Sequence, residues 1–391
     1  MTERFFAPCP RGLEAALASE VGALGAQSVA AAEGGVGFAG SIDLAYRTNL
    51  ESRLASRILW QVARGRYRNE DELYALANGV DWKRHFTAGR TLRVDVAAVR
   101  SPLASIEFAT LRLKDAICDR FRADSGRRPS VDKRRPEVRA YAYLTERDAT
   151  LYLDTSGEAL FKRGWRRDAE AAPLRENLAA GILALAGWAP ETALLDPMCG
   201  AGTIAIEAAL AAAARPPGLQ RTFGFQKLSW YDGPTWQRIR QRAHDRVRPA
   251  PAAPSIFASD IDPRAVAQCR RNAESAGVSQ WIAIDAADVL TRAAPARSGM
   301  LIANPPYGVR LDDEASLAAF YPKLGDALKQ RYEKWTACLF SGDLRLPKLI
   351  GLKPSKRTPL YNGAIECRLF RFEIVAGRPQ RVARAPGSPG G

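Results

Sequence analysis

The residues that follow an apolar run at positions 300–303 have side chains suited to binding an amino group. The run predicts a buried strand, and it is followed by Asn304, Pro305, Pro306 and Tyr307. The prolines stop the strand and have no N–H, so the Asn304 side-chain oxygen and the Pro305 carbonyl can both accept hydrogen bonds from an amine. The Tyr307 ring could stack on a flat substrate. The motif predicts alkylation of the exocyclic amine of a base, and a proline-rich turn is the alternative.

A second motif, at residues 193–210, predicts a strand, a tight glycine loop and a helix. Two glycines in the loop allow a positive φ and a close approach of a ligand to the helix N-terminus. The loop lacks the lysine of a P-loop, and Asp196 would lie near the pyrophosphate of a dinucleotide. An acid suits a cationic ligand better, such as the sulfonium and α-ammonium groups of S-adenosylmethionine. The candidate cofactor-binding residues in this loop are Asp196, Pro197, Met198, Cys199, Gly200, Ala201, Gly202 and Thr203.

Further acids follow the next two predicted strands, at residues 256–259 and 281–284. In doubly wound sheets an acid at the position of Asp260 accepts hydrogen bonds from ribose hydroxyls. Ile261 would then lie against one face of an adenine, and Asp288 could accept from the adenine amino group. A single acid of this kind is often a helix cap or a solvated turn residue. Suitable residues at four successive strand ends favour one ligand site.

Together these motifs resemble a known family. Residues 196–203, 259–265 and 304–310 are similar to the methyltransferase half of THUMP-domain class I RNA guanine-N2 methyltransferases, and most similar to the bacterial 23S ribosomal RNA members. The likeness covers nearly the whole chain. It implies S-adenosylmethionine as the cofactor and the N2 amino group of a guanine as the target. It also implies 23S ribosomal RNA, or a large-subunit precursor, as the partner.

The resemblance implies an α/β fold with several domains. We expect a ferredoxin-like module at residues 1–65, a THUMP RNA-binding domain at 66–165, a Rossmann-like class I methyltransferase domain at 166–378 and a disordered tail at 379–391. The methyltransferase sheet is expected to be mostly parallel and to end in an antiparallel hairpin, because Asn362-Gly363 is a strong turn signal. The first module is predicted to end in a strand at residues 53–60. Some relatives carry a second methyltransferase domain after the first, and from the tail of this chain we expect a single activity.

The chain is strongly basic, with a formal net charge of +15. Such a charge favours a nucleic-acid partner, and the alternative is a solvated basic surface. The candidate RNA-binding residues are Arg127, Arg128, Lys133, Arg134, Arg135 and Arg310. Arg310 could equally be a structural ion-pair partner. The basic residues whose pattern suits a phosphate backbone also include Arg120, Arg122, Arg139, Lys162, Arg163, Arg166 and Arg167.

Composition argues against several classes of protein. The 6 cysteines form no CxxC pair and there are 2 histidines, so no metal site is expected. The cysteines are expected to be buried thiols, and no covalent catalysis is expected from Cys199. No apolar run approaches the ~20 residues of a membrane helix, and the N-terminus does not resemble a secretory signal. We therefore expect a cytoplasmic location, and we infer no obligatory protein partner.

Three alternatives stay open from the sequence. A transfer RNA guanine-N2 methyltransferase would keep the same catalytic residues and a THUMP domain. An N6-adenine DNA methyltransferase shares the Asn-Pro-Pro-Tyr logic, but the basic N-terminal half argues against it. A non-catalytic RNA-binding factor for ribosome assembly is the third. Within residues 215–254, Trp230 and Trp236 could flank the substrate pocket, although a packed amphipathic helix is favoured.

Overall fold

A computed structural model of the chain describes residues 2–166, 174–306 and 314–375, and these residues form two seven-stranded sheets. The first sheet has the strand order β2-β3-β1-β4-β7-β6-β5. Its strands are β1 (Glu3–Pro8), β2 (Gln27–Ala32), β3 (Gly35–Gly40), β4 (Leu59–Arg66), β5 (Leu92–Ala98), β6 (Val138–Leu144) and β7 (Asp148–Asp154). All neighbours pair antiparallel except β5 and β6.

One face of the first sheet is buried under its helices. On β6, Val138, Ala140 and Ala142 are buried in the core, whereas the residues between them are more exposed. This two-residue period is the pattern expected of a strand with one covered face. The helices of this half are α1 (Glu14–Ala23), α2 (Ile42–Glu51), α3 (Glu70–Asn78) and α4 (Ile106–Ser125).

The two modules expected at residues 1–165 share this one sheet, because β4 pairs with both β1 and β7. The predicted strand at residues 53–60 was wrong in its position, since β4 begins only at Leu59. Leu54, Ala55 and Ile58 are buried although they lie before the strand, so their apolar pattern reflects a buried loop. Arg53 lies in that loop and donates to the Leu210 carbonyl at 3.0 Å, which joins the loop to the second half of the chain.

The second sheet has the strand order β10-β9-β8-β11-β12-β14-β13. The first five strands are parallel and the last two are antiparallel, as the family resemblance implied. Gly363, in the turn between β13 and β14, has a φ of +64°, so the Asn-Gly signal correctly predicted the hairpin. The strands are β8 (Leu194–Asp196), β9 (Ile256–Asp260), β10 (Ile282–Ala286), β11 (Gly299–Ala303), β12 (Trp335–Ser341), β13 (Lys356–Asn362) and β14 (Ile365–Glu373).

Both faces of the second sheet are covered, unlike those of the first. Adjacent residues of one strand enter different apolar clusters, as Ile302 and Leu301 do. The Ile302 cluster includes α5, α6 and α8, and the Leu301 cluster includes α9 and α10. A mostly parallel sheet is typically buried on both faces in this way. The helices of this half are α5 (Glu176–Ala186), α6 (Thr203–Ala212), α7 (Gly233–His244), α8 (Pro263–Ala276), α9 (Glu314–Arg331) and α10 (Leu346–Leu349).

The segment at residues 215–254 packs against the first half of the chain. Trp236, on α7, is buried and its ring centroid lies 6.1 Å from that of Tyr46 on α2. Trp230 stacks on the same tyrosine at 5.5 Å. The Tyr46 hydroxyl accepts from the Asp232 N–H at 2.8 Å. The packed-helix prediction is therefore confirmed for this segment.

Two composition-based expectations concern buried thiols and membrane spans. All six cysteines are free and buried, as expected. Within residues 2–166, 174–306 and 314–375, no helix has the length and apolar character needed to cross a membrane.

A buried ion pair links the two halves. Arg163 is 2% exposed, and its Nε donates to Glu207 Oε1 of α6 at 3.1 Å. The same guanidinium donates to the carbonyls of Leu160 and Arg53. Arg163 therefore has a structural role, and the suggestion that it contributes to a phosphate-binding surface was wrong.

We expect Glu207→Gln to lower the free energy of unfolding by about 3–5 kcal/mol, because it leaves the Arg163 charge buried without a counter-charge. Chemical denaturation measures this change. The matched control is Glu158→Gln, which breaks the exposed pair with Lys162 and should leave the midpoint unchanged. Equal effects of the two substitutions would contradict the structural role of the buried pair.

Candidate functional site

A pocket of about 520 Å³ lies where β8, β9, β10 and β11 end. The carboxyl ends of parallel strands meet at one edge of a sheet, which is where ligands bind in folds of this type. Residues from all four predicted strand ends line it, so the structure brings the separate sequence motifs into one site.

Most of the predicted cofactor-binding and catalytic residues face this pocket. Gly202 is not among the lining residues, and Tyr307 and Arg310 lie outside the described residues. The predicted residues that line the pocket are Asp196, Pro197, Met198, Cys199, Gly200, Ala201, Thr203, Asp260, Ile261, Asp288, Asn304, Pro305 and Pro306.

Five residues that line the pocket were not predicted from the sequence, and all of them are apolar. Val289 and Leu290 directly follow a predicted acid, so their position in the chain was a usable signal. Phe320, on α9, gave none, because an aromatic residue in a helix normally indicates core packing. The five residues are Leu174, Ile204, Val289, Leu290 and Phe320.

The glycine loop after β8 is held by the end of β9. The Cys199 N–H donates to the Ser259 carbonyl at 2.9 Å, and the Gly200 N–H donates to Asp260 Oδ2 at 2.9 Å. Gly200 has a φ of +50°, a conformation that favours glycine. Asp260 also accepts from the Asp262 N–H, but a carboxylate has about four acceptor positions. Asp260 can therefore support the loop and still accept from a ligand.

Gly202 serves packing between helices in this structure. It has a φ of +84°, and a Cβ added there would lie 2.4 Å from Cys269 Sγ of α8. The absence of a side chain therefore lets α6 start close to α8. Sequence reasoning assigned both loop glycines to ligand approach, but only Gly200 lines the pocket.

Asp196, at the end of β8, carries a buried carboxyl group with an unsatisfied oxygen. Its side chain is 1% exposed, and Oδ1 has no hydrogen-bond partner among the described residues. The pKa of Asp196 is raised to about 8, chiefly by burial and also by the nearby Asp260, although the hydrogen bond from the Met198 N–H lowers it. A cation in the pocket would stabilise the ionised form. The site thus favours a positively charged group beside Asp196.

Asn304, at the end of β11, supplies a second unsatisfied acceptor. Its Oδ1 is buried and has no hydrogen-bond partner in the described part of the chain. The two prolines that follow have no N–H to offer. The Tyr321 hydroxyl of α9 donates to the Pro306 carbonyl at 2.6 Å, which fixes this turn against the helix. An amine entering the pocket would find an oriented amide oxygen here.

Other residues that line the pocket are suited to a flat apolar group. Ile261 is 70% exposed although it lines the pocket, and Val289 and Phe320 add further apolar surface. Asp288 Oδ1 accepts from the Leu290 N–H at 2.9 Å, which shapes the turn after β10. Concave apolar walls with a few placed polar atoms are typical of small-molecule sites.

The candidate RNA-binding residues lie on an exposed segment after α4, which we call the basic segment (residues 127–135). Arg127, Arg128, Lys133, Arg134 and Arg135 are all exposed. None of them contributes to an ion pair among the described residues. Most of their basic neighbours do, namely Arg120 with Asp124, Arg122 with Asp119, Arg139 with Asp95, Lys162 with Glu158, Arg163 with Glu207, and Arg166 with Glu176.

The chain matches three family models along its length. Residues 4–59 match the RlmL ferredoxin-like domain, and residues 67–154 match the THUMP domain. Residues 163–371 match the RMKL-like methyltransferase domain. A curated relative, ribosomal RNA large subunit methyltransferase K/L of Syntrophotalea carbinolica, is 41% identical over 385 residues. That alignment covers 96% of this chain and 54% of the relative, so the chain spans about half the length of the curated protein.

Solved structures also match over nearly the whole chain. SMU.472, described as a methyltransferase and crystallised with SAH, is 30% identical with a TM-score of 0.87, and the match covers 96% of this chain and 99% of that one. A predicted N6-adenine-specific DNA methylase from Listeria monocytogenes is 29% identical with a TM-score of 0.87 over 96% of this chain and 97% of that one. The class I methyltransferase fold, preceded by ferredoxin-like and THUMP modules, is therefore confirmed.

The raised pKa of Asp196 predicts a pH-dependent stability of the ligand-free protein. The folded state holds the proton more tightly than the unfolded state, whose pKa is near 3.8, so this stabilisation is complete below about pH 4 and is lost as pH rises to about 8. Asp196→Asn should remove this loss, so the variant should gain stability relative to wild type between pH 5 and pH 8. Denaturant unfolding across that range measures the difference. The exposed Asp245→Asn is the control, and parallel curves for wild type and Asp196→Asn would contradict the prediction.

Proposed function

The chain belongs to the RMKL-like methyltransferase family, and on this premise we propose that it methylates the exocyclic N2 amino group of a guanine in 23S ribosomal RNA, using S-adenosylmethionine. The observation that carries the proposal is a pair of buried acceptors in one pocket, Asp196 Oδ1 and Asn304 Oδ1, which have no partners among the described residues. Asp196 suits the cationic end of the cofactor, and Asn304 suits an amine of the substrate.

The residues around the glycine loop would hold S-adenosylmethionine, which supplies an electrophilic methyl group on a sulfonium. Asp196 would attract the positively charged amino-acid end, because a cation beside it stabilises the buried carboxylate. Asp260 would accept from the ribose hydroxyls while still holding Gly200. Ile261 would pack on one face of the adenine, and Asp288 would accept from its amino group.

Asn304 and Pro305, which line the same pocket, would orient the guanine amine. Their oxygens would accept its hydrogens and favour a pyramidal nitrogen. Transfer of the methyl group to that nitrogen would break the carbon–sulfur bond of the sulfonium and leave S-adenosylhomocysteine, and the alkylated nitrogen would lose its proton to solvent. Catalysis is chiefly proximity and orientation. No side-chain base is needed, because the nitrogen becomes strongly acidic once it is alkylated. Neither histidine lines the pocket. Stacking of the base on Tyr307 and a phosphate contact from Arg310 stay predictions, because both residues lie outside the described part of the chain.

Three features support an RNA substrate. The chain matches a THUMP domain, it carries an exposed basic segment, and its curated relatives are named ribosomal RNA large subunit methyltransferases. A guanine in a helix must leave the base stack to reach the pocket, or be modified before the helix forms. A transfer RNA substrate, a DNA adenine or a purely structural role in ribosome assembly are the alternatives.

The direct test uses total RNA, genomic DNA and large-subunit precursors from a strain that lacks the gene. These are incubated with the protein and methyl-labelled S-adenosylmethionine, and the nucleosides are then separated. We expect N2-methylguanosine in 23S RNA, and a loss of at least about 100-fold in rate for Asn304→Ala because an oriented polar contact is removed. Label in transfer RNA or as N6-methyladenosine would assign a different substrate. No label in any sample would contradict catalysis.

Binding of S-adenosylhomocysteine distinguishes the proposed roles of Asp196 and Asn304. At a ligand concentration of about 100 Kd, wild type should gain about 2.7 kcal/mol of stability. Asp196→Asn should lose most of this gain, because the buried amide cannot stabilise the ligand ammonium. Asn304→Ala should retain it, since that residue faces the substrate. Thermal unfolding with and without ligand measures both effects, and the reverse pattern would contradict the assignment of roles.

Salt dependence of RNA affinity tests the basic segment. The double substitution Arg127→Gln and Arg128→Gln should reduce the slope of log K against log salt by about 0.7–0.9 for each lost phosphate contact. Fluorescence anisotropy with a 23S RNA fragment measures the slope. The control is Arg68→Gln, because that arginine is exposed but engaged with Glu72. An unchanged slope in the double variant would remove these two residues from the interface.

A further inference from the structure

The outer face of the first sheet, opposite α1–α4, carries aromatic side chains. On β6, Tyr141 and Tyr143 alternate with the buried core residues, and Tyr143 is 41% exposed. Tyr152 of β7 lies directly opposite Tyr141, and its ring centroid is 6.3 Å from that of Phe6 on β1. Four rings therefore lie on one side of the sheet, with Tyr143 exposed and Phe6, Tyr141 and Tyr152 partly exposed. We call this surface the open face.

Arginines lie between and around these rings. Arg57 is positioned over the Tyr141 ring at 5.7 Å and pairs with Asp154. The acids of the open face are Asp95, Asp148 and Asp154, and each is paired with an arginine of the same face. Arginines outnumber these acids, so the open face is positively charged. They are Arg4, Arg57, Arg64, Arg66, Arg93 and Arg139.

The open face is continuous with the basic segment. Arg93, on the outer side of β5, donates from Nη1 to the Lys133 carbonyl at 2.8 Å. Val131 forms a bridge with Leu92 at the start of the same strand. The exposed cations of residues 127–135 thus lie along the β5 edge of the sheet, beside the aromatic rings.

We propose that the open face is a stacking platform for unpaired bases of the RNA substrate, with the basic segment contacting the flanking phosphates. This inference rests on the proposed RNA substrate and adds a second contact region away from the methylation pocket. Stacking on a flat sheet requires bases whose faces are free, so it selects single-stranded or looped RNA over a continuous helix. The positive charge complements the phosphates, and the exposed Tyr143 ring provides a π-face for any base, with the partly exposed Phe6 and Tyr152 beside it.

Tyr143 is the residue to change, because it is exposed and its removal disturbs little packing. Tyr143→Thr removes the ring but keeps a β-branched residue opposite Thr150. Tyr143→Phe keeps the ring and should bind like wild type. The matched control is Phe108→Ala on α4, which removes an aromatic side chain of similar exposure, 49%, from a helix outside the open face.

The experiment measures the affinity of the full chain for a labelled 12-nucleotide oligouridine and for a 12-base-pair RNA duplex over a series of salt concentrations. Tyr143→Thr should weaken single-strand binding by about 5- to 100-fold, the loss expected for one base stack, and affect the duplex less. Its salt slope should stay unchanged, because no phosphate contact is lost. Phe108→Ala should bind like wild type.

Unchanged single-strand affinity in a folded Tyr143→Thr variant would overturn the proposal. If that variant does not fold, cross-linking of 4-thiouridine RNA to the wild-type protein decides instead. Cross-links on β6 or β7 support the platform, and their absence overturns it. Methylation of 23S RNA is measured on the same preparations. If the wild type methylates 23S RNA and Tyr143→Thr binds single-stranded RNA as tightly as the wild type, only the platform is refuted. If Tyr143→Thr weakens that binding but the wild type does not methylate the RNA, only the proposed activity is refuted.

Discussion

A buried carboxyl group without a hydrogen-bond partner is the constraint on which the rest of the site depends. Asp196 ends β8, next to β9 and β11, so its side chain is almost fully buried and lies close to the other strand ends. An ionised carboxylate is costly there unless a cation accompanies it. The raised pKa of Asp196 reflects that cost. The fold thus maintains an unfavourable local arrangement that a positively charged ligand would relieve.

The surrounding structure keeps this arrangement rigid. The glycine loop is tied to Asp260 on one side, and the Asn272 side chain of α8 donates to the Ala201 carbonyl at 3.0 Å on the other. The turn at Pro306 is fixed by Tyr321. Because the second sheet is covered on both faces, its polar groups can meet a ligand only at the strand ends. The first sheet leaves one face open, so RNA could contact it broadly. The two sheets therefore suit different parts of the proposed task.

That the predicted polar residues share one pocket could be inferred from the sequence, because they follow strands directly and strand ends in a parallel sheet must meet. Sequence reasoning did less well where a residue type has two uses. Gly202 looked like a ligand-facing glycine, but only the position of Cys269 reveals its packing role. Arg163 looked like part of a basic surface, and its burial against Glu207 depends on long-range contacts. Phe320 lines the pocket from α9, and no local sequence pattern connects that helix with the glycine loop after β8.

The most direct test of the central claim is the proton balance of cofactor binding. Calorimetric titration of S-adenosylmethionine at pH 7, in two buffers with different ionisation enthalpies, measures the protons released. With the pKa of Asp196 at about 8, the free protein is mostly protonated at this residue, and a cationic ligand should expel most of one proton. Asp196→Asn should release none. Binding without proton release in the wild type would contradict the pairing of this carboxylate with the cofactor.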